Sequence, residues 1–326
     1  MRLTRRGWGA LVVVALAYTA AYLSGARALN AVVAPTLAAL AAGAVLVFRA
    51  DEPTITYGSL RSGYPGQTRT LSVGVEGDGV VTLGQALPDG VAATDLGATV
   101  TPPHSIERTL TFAERGVYRL GAPTVRQRDP LGFVGRRVDA AVDVEFVVYP
   151  TVYAMDEGRL STLFADELAA ERQEFDRLRE YVPGDPLKNV HWKSSAKYDD
   201  FLVMEFSPSQ RTETVHIAAD ATAGNDDAMA TAAATLALGA LDAGLAVELT
   251  VPDTRVASGQ GEAHRENLLR ALAGAGAGTV PDGVHDGADV SVRADSDGAR
   301  VRYGDRTERF ESVLGTTGQR AGEVSA

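Results

Sequence analysis

The side chains best equipped for chemistry in this sequence lie close together in residues 188–197. This segment holds every lysine of the chain and one of its two tryptophans, in the order Lys188, His191, Trp192, Lys193, Ser194, Ser195 and Lys197. Ammonium groups beside an aromatic face can bind an anion, dock a partner protein or pair with neighbouring carboxylates. Serine hydrolysis would need a hydroxyl held by a histidine and an orienting acid, and neither that acid nor an elbow glycine accompanies His191. We therefore predict that the protein is not an enzyme.

Two interpretations of this segment remain open. It could be a structural clasp that joins two domains through buried ion pairs and a packed tryptophan, or it could be a docking surface for a partner. We favour the clasp for Arg179, Asp185 and Trp192, and we keep docking as the alternative for Lys188 and Lys197.

A second candidate site follows the apolar run TVHIAAD, which has the composition of a buried parallel strand. The run ends at Asp220, and Thr222 follows two residues later. Ligands of α/β sheets bind at the carboxyl ends of strands. Asp220 and Thr222 resemble the cation motif of von Willebrand factor A domains, which implies oxygen ligands for Mg²⁺ or Mn²⁺. The alternative, which we favour, is that Asp220 and Thr222 cap the helix that follows. Because no later Thr or Asp pair completes a metal shell, we predict no cofactor, with Mg²⁺ or Mn²⁺ at Asp220 as the alternative.

The other four histidines are scattered singly along the chain: His104, His216, His264 and His285. His216 belongs to the apolar run before Asp220 and is predicted to lie in a strand. The remaining three are predicted to be exposed, so none of them is expected to take part in a site.

These candidates must be positioned by a chain that opens with two charge-free apolar runs, residues 8–24 and 28–48. Each can cross a hydrocarbon core of ~30 Å as a helix, so residues 1–50 are predicted to form a transmembrane hairpin. A cleaved signal peptide would also begin with a basic leader such as MRLTRR, but a second long apolar run would not follow it at once.

The arginines around the hairpin predict its orientation. Only Arg27 lies in the short loop between the two runs, whereas the outer ends are flanked by Arg2, Arg5, Arg6, Arg49 and Arg61. Segments rich in Lys and Arg stay on the cytoplasmic side of the membrane. We therefore expect a two-pass protein of the cell membrane with both termini in the cytoplasm.

After the hairpin, residues 51–150 alternate apolar and polar side chains between Gly, Pro and Asp turns. This pattern predicts an antiparallel, immunoglobulin-like β-sandwich of about seven strands. Within it Asp129 precedes a proline and is interpreted as a turn residue. Residues 151–212 are predicted to be a connecting segment with one helix near residues 162–172.

Residues 213–314 alternate strand patterns with helix patterns, which predicts a doubly wound α/β domain. The first helix is expected to start at Asn225 or Asp226 and to stop at Gly244, and a second helix is expected over residues 262–274. The last residues, 315–326, are predicted to be a disordered tail.

The composition is acidic and lacks cysteine, with a formal net charge of -11. Residues 1–50 contain five arginines and no acid, so the remainder of the chain is more acidic still. We expect such a body to repel nucleic acid and anionic lipid headgroups. The acidity and scarce lysine are similar to the surfaces of proteins from very salty cytoplasm, although a GC-rich genome would also favour arginine. The absence of cysteine excludes disulfides and thiolate metal sites.

The segment around the lysines resembles the family called domain of unknown function 58. The residues that carry the resemblance are Arg179, Tyr181, Gly184, Asp185, Lys188, His191, Trp192, Lys193, Ser195, Ala196, Lys197 and Glu205. The upstream sequences RGVYRLG and RDPLGF and the N-terminal hairpin are also similar to that family. Asp220 and Thr222 resemble the start of the cation motif of von Willebrand factor A domains, in which Gly224 replaces the second hydroxyl.

The resemblance implies partners rather than a reaction. Members of this family commonly accompany MoxR-type AAA+ ATPases, other von Willebrand A-like proteins and transglutaminase-like membrane proteins. It therefore implies a membrane-anchored cytoplasmic adaptor or scaffold in the assembly or maturation of other proteins. A divalent-cation-dependent binding module at Asp220 is the alternative, and a hydrolase is the least favoured.

Overall fold

The computed structural model describes residues 1–24, 27–155, 157–164, 177–180, 202–205 and 214–314, the strands at 177–180 and 202–205 by their backbone alone. The chain divides into two compact units, Met1–Tyr149 and Pro150–Ala326. Each unit has its own set of buried apolar side chains.

Two helices open the first unit, α1 over Arg5–Ser24 and α2 over Asn30–Arg49, joined through a 3₁₀ turn at Arg27–Leu29. Both are long and apolar enough to cross a membrane. Their large side chains are mostly uncovered, with Leu16 65% and Phe48 75% exposed, as expected of helices that face lipid. These helices overlap the two predicted apolar spans almost completely.

A β-sandwich follows the hairpin, and all its strand pairs are antiparallel. One sheet has the order β1-β10-β9-β4-β6, a second has the order β2-β3-β7-β5, and β8 pairs with β11. The strands are β1 (Arg2–Leu3), β2 (Thr54–Tyr57), β3 (Thr68–Glu76), β4 (Val80–Gly84), β5 (Val91–Ala93), β6 (Gly97–Val100), β7 (His104–Phe112), β8 (Gly116–Leu120), β9 (Thr124–Arg128), β10 (Val134–Asp139) and β11 (Val144–Val148).

The core of the sandwich forms because alternate residues of each strand point inward. Leu71 and Val73 of β3, Phe112 of β7 and Val125 of β9 are buried in one cluster that draws on both sheets. The predicted antiparallel β-domain is therefore confirmed, although it has more strands than the seven expected.

The hairpin is fastened to the sandwich at the start of the chain. Strand β1 pairs with β10, and the Thr4 amide donates to the Phe133 carbonyl at 2.9 Å. The Thr4 hydroxyl accepts the Gly7 amide at 3.1 Å, which satisfies a free donor at the N-terminus of α1. Gly7 approaches the sandwich so closely that a Cβ would lie 2.2 Å from the Phe133 carbonyl oxygen.

The end of the hairpin is fastened to the same pair of strands. The Arg136 guanidinium donates to the Ala50 carbonyl at 2.7 Å, and the Gln127 amide donates to the Asp51 carbonyl at 2.8 Å. Helix α2 also buries Gly43 against Asp129, whose Cγ would lie 3.1 Å from a Cβ at that position. Asp129 accepts the amides of the turn it begins, as the sequence predicts.

The second unit contains a six-stranded mixed sheet in the order β16-β15-β14-β17-β18-β19. The pairs β14–β15 and β14–β17 are parallel, and the other pairs of this sheet are antiparallel. The elements are α3 (Glu157–Leu163), β12 (Arg177–Glu180), β13 (Leu202–Glu205), β14 (Thr214–Ala221), α4 (Asp226–Asp242), β15 (Ala246–Val251), β16 (Thr254–Gly259), α5 (Glu262–Gly274), β17 (Val290–Asp295), β18 (Gly298–Tyr303), β19 (Arg306–Arg309) and α6 (Phe310–Leu314).

The expected doubly wound arrangement is not found in the part of this unit that the structure describes. Helices α4 and α5 contact each other, so both lie on one face of the sheet. Strands β16 and β19 were not predicted, because short antiparallel edge strands with polar residues have little hydrophobic pattern. Helix α5 was predicted with its observed bounds, and α4 ends before Gly244, whose φ of 89° favours glycine.

The helix predicted near residues 162–172 lies mostly outside the described residues. In the described part, helix α3 covers Glu157–Leu163, which was not predicted to be helical before residue 162. Its Leu160 packs at Gly239 of α4, where a Cβ would lie 2.7 Å from the leucine Cδ2. Packing against α4 therefore fixes the position of α3, and the local sequence of α3 does not specify that position.

Candidate functional site

Asp220 lies at the carboxyl end of β14, between two parallel strands, as the sequence predicts. Strand β14 turns His216 and Asp220 to one face of the sheet and its apolar residues Val215 and Ile217 to the other. On the His216 side, cross-strand neighbours add more polar side chains. We call this the polar face, and its residues are His216, Asp220, Glu248, Thr250, Ser291, Arg293, Arg300 and Arg302.

Two basic groups stand against the Asp220 carboxylate. His285 Nε2 lies 2.8 Å from Oδ2, and Arg293 Nε lies 3.9 Å from Oδ1. The carboxylate is 13% exposed and the His285 side chain 8%. Asp220 is therefore held in contact with two bases, which disfavours a cation because the Arg293 guanidinium would repel it.

His285 is buried, which corrects the prediction that it is exposed. Its Nδ1 lies 2.6 Å from the hydroxyl of Ser291, itself only 3% exposed. The separation of Nε2 from Asp220 Oδ2 is that of a close ion pair, but the two groups do not have the geometry of a hydrogen bond. We treat this contact as electrostatic for that reason.

Ser291, His285 and Asp220 are the residue types of a hydrolytic triad, but their placement does not fit that chemistry. A nucleophile must meet the substrate, and Ser291 lies on the central strand β17 with a buried hydroxyl. We interpret the three residues as an internal polar chain of the polar face.

Sequence reasoning missed this chain because His285 lies in a polar loop between Asp282 and Asp289. The loop brings the imidazole to Asp220 and Ser291 of the sheet. The Arg302 guanidinium also donates to the backbone carbonyl of His285. The only local signal was Ser291, a polar residue between two valines of strand β17. That signal alone does not identify a partner six residues away.

Thr222 does not join Asp220 in a shared site. Its hydroxyl accepts the Asn225 side-chain amide at 2.9 Å, and its own amide donates to the Ala294 carbonyl. Asn225 is the residue before α4 and makes no side-chain cap bond. The structure therefore assigns neither Asp220 nor Thr222 as the cap of α4, and their role as cation ligands stays a prediction.

No group of three or more His, Asp and Glu side chains that could hold a metal ion is present in the described ranges of the chain. The rest of the polar face is paired internally. His216 Nε2 lies 2.9 Å from the Thr250 hydroxyl and 4.0 Å from Glu248, which also binds Arg255.

The lysine-rich segment falls between two paired strands. Strands β12 and β13 are antiparallel, and Arg179 stands opposite Val203. The other residues of the predicted motif lie outside the described residues, and they are Tyr181, Gly184, Asp185, Lys188, His191, Trp192, Lys193, Ser195 and Lys197.

A family model described as "Protein of unknown function DUF58" matches residues 177–305. The match begins with the first residue of β12 and ends after β18, so it includes the lysine-rich segment and the polar face. This match supports the assignment of residues 177–305 to the DUF58 family. No curated protein matches the sequence significantly.

Solved structures show only weak similarity to this protein. The E. coli chaperone DraB aligns at 11% identity over 32% of this chain and 66% of its own, with a TM-score of 0.23. A Porphyromonas gingivalis W83 protein of unknown function aligns at 14% identity over 32% of this chain and 55% of its own, with a TM-score of 0.24. The SrpA adhesin from Streptococcus sanguinis aligns at 16% identity over 40% and 81% of the two chains, with a TM-score of 0.20. Similarities at this level carry no argument about function.

Proposed function

We propose that this DUF58 protein is a membrane-anchored cytoplasmic adaptor that works with a MoxR-type AAA+ ATPase in the assembly or maturation of other proteins. Family membership supports the partner class, through the association that the sequence resemblance implies. The accompanying fold assignment is an immunoglobulin-like sandwich and a von Willebrand A-like C-terminal unit. The parallel strands β15-β14-β17 with Asp220 at their carboxyl end support the latter.

The observation that carries the proposal is the double fastening of the hairpin to the sandwich. Strand β1 ties the start of α1 to β10, and Arg136 and Gln127 tie the chain after α2 to the same strands. A simple membrane tether needs one flexible linker. A hairpin attached at both ends instead holds the sandwich at a set height and orientation above the membrane, which suits a platform that presents a surface to a partner.

The lysine-rich segment is the proposed contact with the ATPase. Its three ammonium groups stand out in an otherwise acidic chain, so they would attract an acidic partner surface. Charge complementarity of this kind increases the rate of association and excludes partners of the wrong charge.

The test is a pull-down from membranes with the full chain and its intact hairpin. We expect wild-type protein to recover a MoxR-type ATPase, identified by mass spectrometry, and the double variant Lys188→Glu/Lys197→Glu to recover severalfold less of it. The matched control is Arg61→Glu/Arg309→Glu, which reverses two charges at exposed positions elsewhere.

Two results would argue against the proposal. If no ATPase of this class comes down with wild-type protein, the adaptor role is wrong. If both charge-reversal variants recover it as well as wild type does, the ATPase binds through another surface and the assignment of Lys188 and Lys197 is wrong.

A further inference from the structure

An arginine-lined concavity of about 900 Å³ lies where the start of α1 meets the outward face of the sheet that contains β9 and β10. We call it the arginine concavity, and its basic lining residues are Arg2, Arg5, Arg6, Arg126, Arg128, Arg136 and Arg137. We propose that it binds the phosphate headgroups of anionic phospholipids. This inference goes beyond the adaptor proposal and shares with it only the membrane hairpin.

The strand register places four of these arginines on one face of the sheet. Arg126 of β9 stands directly opposite Arg137 of β10, and Arg128 lies two residues along on the same side of β9. Arg2 of β1 stands opposite Gly135, which in turn pairs with Arg128. Like charges directly opposite each other destabilise an antiparallel pair. Such an arrangement is expected where an external anion offsets the repulsion.

The only acid lining the concavity does not neutralise these charges. Asp129 is 2% exposed, and its two carboxylate oxygens accept the amides of Leu131 at 2.9 Å and Val134 at 2.6 Å. The carboxylate is thereby committed to the turn between β9 and β10. Because these backbone donors offset its negative charge, the carboxylate is not available to pair with a guanidinium.

The guanidinium groups divide into one internal group and several outward ones. Arg136 is used inside the protein, where it donates to Gln127 and Ala50. Arg126 and Arg137 are exposed, as are the arginines at the start of the chain. Across the described residues, no ion pair joins an acid to Arg2, Arg5, Arg6, Arg126 or Arg137. These five groups keep their donors available for a ligand.

The position of the concavity favours a lipid over a soluble anion. Arg5 and Arg6 lie in the first turn of α1. Trp8, two residues after Arg6, is 61% exposed. Tryptophan with neighbouring arginines is typical of the boundary between hydrocarbon and water. A headgroup bound there could keep its acyl chains against the uncovered apolar side of α1, whereas a free phosphate would gain nothing from that surface.

The chemistry of the side chains suits a phosphodiester. A guanidinium offers paired N–H donors that match phosphate oxygens, and clusters of four to eight Lys or Arg beside a membrane span are typical of anionic-lipid binding. The acidic remainder of the protein would be repelled by an anionic membrane surface. The arginine concavity would supply a local attraction at the place where the protein must approach that surface.

The experiment is native mass spectrometry of the purified full chain in uncharged detergent, with equimolar phosphatidylglycerol and phosphatidylcholine added. We expect wild-type protein to retain phosphatidylglycerol preferentially. In the double variant Arg126→Gln/Arg137→Gln, the ratio of retained phosphatidylglycerol to phosphatidylcholine should be about tenfold lower. Both substituted side chains are exposed, so the variant should fold, which is checked by its melting temperature in phosphatidylcholine alone.

Matched controls decide between a site and general charge attraction. The variant Arg61→Gln/Arg309→Gln removes two exposed arginines that do not line the concavity, and it should bind phosphatidylglycerol as wild type does. Equal loss in both double variants, or no preference in wild type, would overturn the proposal. Because only purified protein and lipid are present, failure here leaves the ATPase proposal unaffected.

A soluble competitor separates the two sources of phosphate. We expect inorganic phosphate or glycerol 3-phosphate at millimolar concentration to leave the bound phosphatidylglycerol in place. Complete displacement by either would assign the concavity to a soluble phosphate compound and would overturn the assignment to lipid.

Discussion

Two sheet faces of this protein carry several charged side chains, and they arrange them differently. On the polar face of the C-terminal sheet, bases meet acids, as in the contacts of Arg255 with Glu248 and of Arg293 with Asp220. On the outward face of the sandwich sheet, Arg126 stands opposite Arg137 with no acid between them. The first arrangement satisfies its charges within the protein. The second leaves them for something outside it.

This difference shows why charged residues must be sorted by their partners before a function is assigned to them. Asp220 was the most plausible ligand residue in the sequence, but the fold surrounds it with His285 and Arg293. The arginines of β9 and β10 carried no motif at all. Their significance comes from sharing one face with the first residues of the chain, next to the two apolar helices.

Loss of Asp220 should have the largest effect on stability. In Asp220→Ala the buried Nε2 of His285 loses the carboxylate that lies 2.8 Å away, and loss of this buried electrostatic contact should cost about 2 kcal/mol of local stability. The β14 and β17 amides should then exchange hydrogen roughly thirtyfold faster. The control Asp286→Ala, at an exposed position in the same loop as His285, should change these rates little. Unchanged exchange in Asp220→Ala would show that the paired charges of the polar face do not stabilise the sheet.

Removal of one unpaired arginine should have a smaller effect of the opposite sign. In uncharged detergent without lipid, Arg137→Gln should stabilise the β9–β10 pair by about 0.2–1 kcal/mol, because it relieves the repulsion from Arg126. Hydrogen exchange of the β9 and β10 amides should become slower, whereas Arg61→Gln should leave them unchanged. Added phosphatidylglycerol should abolish this gain in stability of Arg137→Gln over wild type. Faster exchange in Arg137→Gln without lipid would mean that Arg137 has a stabilising partner within the protein.

Divalent cations should have the smallest effect. Because Arg293 and His285 stand against the carboxylate oxygens of Asp220, we expect Mg²⁺ or Mn²⁺ to leave the melting temperature of the C-terminal unit unchanged. A saturating ligand would otherwise raise the stability of the folded state measurably. A rise in melting temperature that disappears in Asp220→Ala would establish the cation site that the sequence suggested.

Much of the fold follows from local pattern. The apolar runs specify α1 and α2, because a long charge-free helix must place its side chains in lipid or in a large protein core. Period-two alternation specifies the sandwich strands, and the stretch Glu262–Gly274 specifies α5 through its helical pattern and its terminal glycine. Strands β16 and β19 were missed because their residues are mostly exposed, and hydrogen bonding to a neighbour holds them rather than burial.

The candidate sites depended more on tertiary contacts. The sequence placed Asp220 at the end of a central strand, but it could not show that His285, in a distant polar loop, packs against it. It also predicted that an acidic body would repel anionic lipid. That inference used the net charge, which averages over the chain and conceals a local group of arginines.

By itself, the sequence determined the apolar helical hairpin, the succession of a β-rich and an α/β region, and the match of residues 177–305 to the DUF58 family, because each is encoded in residues that are close along the chain. Only the tertiary structure decided which charges are paired. Ion pairing depends on distances of a few ångströms between side chains that are far apart in sequence, as when His285 comes to lie 2.8 Å from Asp220.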